Sequence, residues 1–560
     1  MKRTILLTSG ILAGALLLAG CSTTVTTGSE ATVAAASAAD LAPSAVMAEN
    51  ADYTVVNTDE WAEADAVDVT FANGDVTTDA DDVTVDGSTV TIGAAGVYRL
   101  SGALDGQLVV AAPDDAQVVL ILDGVDIASD SGPAIDVQTA DDVAVHLADG
   151  SSNSVSDAQS YVEDAEADAA IHAAADLTVS GSGSLQVTGN GGHGIKSTDD
   201  LVILSGTIAV SAAEDALRGK DALVVEGGAL TLDAAAGDGM NSNGDEDETE
   251  IDWTSGYVYI GGGVIDITAG DDGIQAFTDT VLGGGQITLA AADDGVKSEA
   301  VISIGELDAA PVLSVTASTE GIESANIAIS AGSVDIVASD DGVNASGNTD
   351  LQALISGTGT DTSTDAAGGR GGEFADSGER LEISGGTVTV DSEGDGLDSN
   401  GALAISGGDT VVYGPTRGGN GSVDANAGIT VTGGTILAFG PGDMEQAPAD
   451  SGQGWVQITA SLSAAQTAVL VDESGATVAE FTAEKTAGAV TYSSPDIVDG
   501  ATYSLTVDGE QRSTGVAGEA GAGGMGAPGG MGAPEETTGG QRGMGGQPPA
   551  RPDEEEEAAE

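Results

Sequence analysis

The sequence predicts an all-β fold, a right-handed parallel β-helix closed by a small β module at its C-terminal end. Three observations carry this. A short, mostly acidic phrase returns eight times between residues 191 and 399, as in Asp271-Asp272-Gly273-Ile274, Asp293-Asp294-Gly295-Val296 and Asp340-Asp341-Gly342-Val343. The apolar residues that close the phrase, with flanking copies, are Ile171, Ile195, Leu217, Met240, Ile274, Val296, Ile322, Val343, Leu397 and Val423. Their separations are 24, 22, 23, 34, 22, 26, 21, 54 and 26 residues, a basal period near 22 with two insertions. Between phrases lie only short alternating apolar runs joined at glycine-rich bends, with no helical periodicity. One such repeat makes one coil, and coils stack by parallel pairing about 4.8 Å apart. Leucine-rich repeats need regular leucines and an asparagine, calcium-binding nonapeptides repeat every nine residues, and propeller blades need longer strands. The sequence supplies none of these.

Taken in order, the chain opens on the basic Met1-Lys2-Arg3, an apolar run from Ile5 to Leu18, and Leu18-Ala19-Gly20-Cys21. The run is short for a membrane span and reads as a bacterial lipoprotein signal over 1–20. Cleavage before Cys21 leaves a lipidated cysteine, which places the mature chain outside the cytoplasm, anchored to the bacterial cell membrane. Cys21 is the only cysteine, so no disulfide is expected. Residues 21–52, rich in Thr, Ala and Ser, read as a flexible tether. Residues 53–82, with Trp61 and Phe71, read as an N-terminal cap over the first open edge. The β-helix spans 83–440, in strand pairs such as Leu201-Val202-Ile203 with Ile208-Ala209-Val210, and Leu223-Val224-Val225 with Leu230-Thr231-Leu232. Its insertions fall at Asn243 to Trp253 and at 347–378. Residues 441–510 break the period and predict a β module; 511–560, Gly/Met/Pro-rich and acidic, predict disorder.

Composition narrows the function. The net charge is −77 with only 14 Lys and Arg, which excludes nucleic acid, because duplex binding needs basic side chains on phosphates. Such an excess of carboxylate repels itself unless cations relieve it. Adaptation to salt is the general reading; placement is the specific one. Stacked coils put Asp238, Asp271, Asp272, Asp293, Asp294, Glu320, Asp340, Asp341, Asp395 and Asp398 in columns. Charges one rung apart repel by roughly 1 kcal/mol in water and about 3.5 kcal/mol at an effective dielectric of 20. Calcium takes six to eight oxygens at about 2.3–2.6 Å, so acids of neighbouring coils can share an ion. The alternative is a solvated acidic turn with no ion. His146, His172 and His193 lack metal-ligand spacing. No nucleophile triad, phosphate loop or thiolate site is present.

Several segments together resemble secreted bacterial carbohydrate-binding β-helix proteins, related in fold to pectate lyases. They are Gly96-Val97-Tyr98-Arg99-Leu100-Ser101-Gly102, Val118 to Gly124, Leu147-Ala148-Asp149-Gly150, Gly181-Ser182-Gly183-Ser184-Leu185, His193-Gly194-Ile195-Lys196-Ser197, Gly219-Lys220-Asp221, the Asp-Gly-Ile/Val phrases, Ser493-Ser494-Pro495 and Asp499-Gly500. The resemblance spans most of 83–510 and implies calcium-assisted binding of an acidic or cellulosic polysaccharide. The acidity and the 347–378 insertion depart from it.

Three function classes follow. A polysaccharide binder would use the scarce cations Lys196, Arg218, Lys220 and Lys297, or an aromatic cluster of Trp253, Tyr257, Tyr259 and Phe277, in which the two tyrosines share one strand face and packing is the competing role. A calcium-dependent polysaccharide lyase would need Lys297 or Lys196 as the proton-abstracting base beside an ion. A calcium-stiffened structural or adhesive protein would need neither.

Overall fold

The computed structural model describes residues 41–162, 165, 167–244, 252–307, 309–347 and 378–521. The signal segment, Cys21, the first part of the tether, nearly all of the 347–378 insertion and the end of the tail lie outside those residues. Each coil carries three strands in fixed order. In one coil these are Val296–Ser298, Val301–Ile304 and Val312–Ala317. Like strands of successive coils pair in parallel and build three faces, a parallel β-helix. We call them the narrow sheet (three-residue strands), the strap sheet (four) and the wide sheet (six).

The period found in the sequence is the register of the narrow sheet. Ile171 pairs with Ile195, then Leu217, Met240, Ile274, Val296, Ile322, Val343 and Leu397, with a single bridge on to Val423. All ten are buried in one continuous core. Full burial of such a side chain is worth about 1.5–3 kcal/mol, so each coil adds its own increment of stability. Met240 still pairs with Ile274 across the longer separation, so the register of the stack is kept.

The bend between the strap and wide sheets explains one glycine column. Gly386 and Gly408 have φ of 79° and 78°, where L side chains are strained. A Cβ on either would also lie 2.8 or 2.7 Å from the carbonyl oxygen of the preceding coil's bend glycine. Both reasons select glycine.

Residues 41–66 overturn the expectation of a free tether to residue 52 and a cap starting at 53. They form a strap, with a short helix at Pro43–Glu49, laid against the outside of the strap sheet and running opposite to the order of the coils. Leu41 and Val46 bury against Val281 and Val301; Val56 buries against Val119, Ile121 and Ala144. Polar ties mark the route: Ser303 Oγ to Leu41 O (2.6 Å), Tyr257 Oη to Ala51 O (2.9 Å), Tyr53 Oη to Glu226 Oε1 (2.6 Å), Thr54 N to Asp200 Oδ2 (2.7 Å) and Arg99 Nη2 to Glu63 Oε1 (2.6 Å). Where the strap covers it, the strap sheet therefore buries both faces, the state that produces continuous hydrophobic strands.

The N-terminal edge is closed by two hairpins further along. Val67–Ala72 pairs with Asp75–Thr78 and lies parallel to Gly96–Asp105; Val83–Asp86 pairs with Thr89–Ile92. At the other end Ala487–Ser493 adds antiparallel to Thr435–Gly440, the last wide strand. A four-stranded antiparallel sheet packs beyond it around Phe439, Phe481 and Tyr503. That module reaches past the expected boundary at 510. Glu510–Val516 is a strand paired with Thr502–Val507, a polar edge whose alternation is masked by Gln511, Arg512 and Ser513.

The strap yields a first prediction. Val46→Asp sets a carboxylate against Val281 and Val301, a change of about 2 kcal/mol in local opening, or roughly 30-fold. Limited proteolysis should cut faster within 41–66 while the fragment from 67 onward persists. An unchanged cleavage pattern would mean the strap is not held by this contact.

Candidate functional site

The acidic phrase forms the corner between a wide strand and the next narrow strand. Of each acid pair, the first is exposed (Asp271, Asp293, Asp340) and the second lies deeper (Asp272, Asp294, Asp341). At five corners the deeper carboxylate accepts a backbone N–H from the following coil, whereas Asp294 takes Lys297 instead. Asp238 N donates to Asp215 Oδ1 (2.9 Å), Asp272 N to Asp238 Oδ1 (3.0 Å), Asp294 N to Asp272 Oδ1 (2.8 Å) and Asp395 N to Asp341 Oδ1 (2.6 Å). Gly421 N continues the series to Asp395. The corner amide has left the parallel ladder and, being buried, needs an acceptor. The acids thus have a structural role that the sequence alone did not disclose.

The glycine after the deeper acid permits this close stacking. A Cβ on Gly273 would lie 2.5 Å from Gly295 O and 3.0 Å from Leu289 Cδ1.

A second interaction lies within each phrase. The residue three positions after the deeper acid returns to its free oxygen: Arg218 to Asp215 (3.0 Å), Asn241 to Asp238 (2.5 Å), Gln275 to Asp272 (3.2 Å) and Lys297 to Asp294 (2.6 Å). These donors are themselves register partners on consecutive coils. Asn241 also donates to Gln275 Oε1 (2.7 Å), and Lys297 reaches Glu323 (3.0 Å). Further along, the same column holds Glu323, Asn344 and Asp398, and compensation thins out.

The electrostatics follow. Burial, reinforced by neighbouring carboxylates, pushes Asp238 and Asp341 up to about 6, Asp272, Glu320 and Asp398 to about 7, and Asp395 to about 8. Burial also pushes Asp215 up, but the bond to His193 and the charge of Arg218 outweigh it and hold it low. Burial would lower Lys297, yet Asp294 and Glu323 raise it well above the usual lysine range. That direction opposes the role of proton-abstracting base. Lys196 is paired with Asp168 at 2.7 Å.

Four groups of carboxylates converge, each with oxygens within 4.8 Å of one another: Asp271/Asp272/Asp293, Asp294/Glu320/Glu323, Asp395/Asp398/Asp424 and Asp176/Asp199/Asp200. Oxygen-only donor sets suit calcium rather than zinc or copper. The second group already holds the Lys297 ammonium. Neither the first nor the third touches an ion pair among the described residues; the third, where Gln446 donates to Asp424, also contains the most strongly raised carboxyl, so its donor set fits a divalent cation best. Asp238, Asp340 and Asp341 belong to none of the four. Glu323 and Asp424 were missed, although each follows a residue of the apolar column (Ile322, Val423) just as Asp398 follows Leu397. Asp176, Asp199 and Asp200 carry no such signal; they sit at another corner, where Asp200 accepts Thr54 N from the strap.

The expected aromatic platform is corrected. Tyr257 and Tyr259 do share a face, but it is the face under the strap: Tyr257 is 1% exposed, and Tyr259 packs with Met47 and Leu307. Trp253 instead stacks on Phe277, ring centroids 5.6 Å apart at 14°, beside the narrow sheet. Arg218 is engaged with Asp215, and Lys220 follows in the next outward position.

The raised carboxyls predict the pH dependence. In the folded chain they keep protons up to pH 6–8, whereas unfolded aspartates release them near the ordinary value of 3.8. Their contribution is whole below that value and is lost as pH rises through 6–8. The melting midpoint in chelator should fall steadily from pH 5 to pH 8; a midpoint that rises over this range would contradict the burial of these acids.

The family described as "Carbohydrate-binding domain-containing protein" matches residues 86–365. A protein of Acetivibrio thermocellus with that same description is 33% identical over 222 residues, which cover 39% of this chain and 76% of that protein. The solved structure of a polysaccharide lyase-like protein from C. thermocellum, a gadolinium derivative, is 32% identical, covering 44% of this chain and 100% of that one with a TM-score of 0.41. The matched residues contain the narrow sheet from its first coils through Val343, with its acid corners and donor column, and on this footing the chain belongs to the carbohydrate-binding domain-containing family.

Proposed function

We propose that the protein is an extracytoplasmic, lipid-anchored binder of polysaccharide whose β-helix is charge-balanced by calcium. One observation carries the calcium: Asp395, Asp398 and Asp424 converge within 4.8 Å with no ion pair among the described residues to neutralise them. A divalent ion there would relieve the repulsion between stacked corners and lock adjacent coils. Family membership supports carbohydrate as the ligand class. The Met1–Cys21 segment supports the anchor; among the described residues no helix is long and apolar enough to cross a membrane. The lyase reading is weaker, because Lys297 is clamped in its protonated form by Asp294 and Glu323.

The test combines three measurements on the full chain. Calcium at a hundred times its dissociation constant should stabilise the fold by about 2.7 kcal/mol relative to chelator. Asp395→Asn with Asp398→Asn should remove much of that gain; an unchanged midpoint with and without calcium would refute the ion. Co-sedimentation with insoluble polysaccharide, and the absence of unsaturated sugar products from pectate, should separate a binder from a lyase. Retention of no polysaccharide despite calcium-dependent folding would leave a structural rod. Cys21→Ser should move the protein from the membrane fraction to the soluble one.

A further inference from the structure

A solenoid repeats its surface on every coil, but one stretch of the narrow sheet breaks that equivalence. Two adjoining shallow depressions of about 60 and 100 Å³ lie there, open to solvent and sharing Lys297 and Glu299. One wall is the outward column of the narrow sheet, Gln275, Lys297 and the acceptor Glu323, in register on three consecutive coils. The other wall, one residue past the strand ends, carries Phe277 and Glu299. The floor is small: Ala276 and Ser298 pair in register and are 2% and 3% exposed. Phe277 is backed by Trp253, which the preceding insertion delivers.

Resting on the carbohydrate reading, we propose that this trench is the saccharide-binding cleft. Its ligand is a neutral glycan whose pyranose rings lie along the solenoid axis. The walls present Gln275 and Lys297 as donors and Glu323 and Glu299 as acceptors, the two kinds of partner that sugar hydroxyls require. Both donors are fixed in advance, Gln275 by Asn241 and Asp272, and Lys297 by Asp294 and Glu323, so little ordering remains to be done on binding. Phe277, half-buried and stacked on Trp253, lines the trench as an apolar ring for sugar C–H groups. The sign of charge decides the class. Lys297 is already matched by two carboxylates, and Glu299 adds another, so the trench is net negative and repels a uronate.

The experiment titrates the calcium-loaded full chain with neutral β-linked gluco-oligosaccharides and, separately, with oligogalacturonates. Phe277→Ala and Gln275→Ala are compared with Asp266→Asn, an exposed wide-sheet residue far from the trench. The neutral oligosaccharides should bind, with each trench variant weakening them about tenfold or more and Asp266→Asn leaving them unchanged. Melting curves confirm that each variant folds; Gln275→Ala carries the test if Phe277→Ala does not. Neutral binding untouched by folded trench variants would overturn the site while sparing the carbohydrate reading. Binding of oligogalacturonates alone would overturn the neutral class. Binding of neither, on these or on insoluble polysaccharides, would remove both.

Discussion

The structure depends on a hydrogen bond between a buried carboxylate and the corner N–H of the next coil. A parallel β-helix satisfies its strand amides through the ladders, but at each corner the chain turns out of them and an amide is left over. Asp215, Asp238, Asp272, Asp341 and Asp395 supply the acceptor. Where the acid is ionised, the charged acceptor makes the bond short and strong. It also places a carboxylate on every rung, where burial and its neighbours oppose ionisation. Each coil therefore solves a backbone problem by creating an electrostatic one. In the first half of the ladder the answer lies within the phrase, from Arg218, Asn241, Gln275 and Lys297. Towards the C-terminal end the equivalent positions hold Glu323 and Asp398, and the carboxylates are left to protons or cations.

Lateral order comes from the strap. Stacked coils contact only their neighbours, so stability along a solenoid is nearly a sum of local terms and ends fray easily. Residues 41–66 change this by tying Leu41 to the coil of Ser303 and Glu63 to that of Arg99, with contacts to Tyr257, Glu226 and Asp200 between them. Because the strap runs against the coil order, its start meets late coils and its end meets early ones. Fraying at one end must therefore strip a segment that also holds the middle.

The repeat was legible because a stacked fold writes its register into the spacing of one apolar position, and all ten residues from Ile171 to Val423 fall in a single column. The strap was not, because Leu41, Val46 and Val56 are isolated in Ala- and Ser-rich text and acquire meaning only from a surface distant in sequence. A signal did exist on the other side of that contact. Leu201-Val202-Ile203 and Leu223-Val224-Val225 are continuous apolar runs, whereas Ile208-Ala209-Val210 and Leu230-Thr231-Leu232 alternate. The first pattern means both faces are covered, and reading it would have removed Tyr257 and Tyr259 from any exposed platform. For the acids, spacing gave the columns correctly. It could not say that one carboxylate of each pair faces inward to an amide, nor that Lys297 occupies one of the clusters.

Charge and geometry together restrict what this surface can hold. With 91 acidic residues against 14 Lys and Arg, the net field of the chain repels a polyanion. The cations that face outward on the narrow sheet, Lys196, Arg218 and Lys297, are each engaged by a carboxylate of the same or an adjacent coil. Recruiting one for an external anion would strand a buried acid, and an unpaired buried charge is more unfavourable than a surface ion pair is favourable. An acidic polymer therefore needs bridging cations, whereas a neutral one can use amides, carboxylates and an aromatic ring as they already stand. The same pairing that stabilises each corner thus selects against recognition of an external anion by these cations.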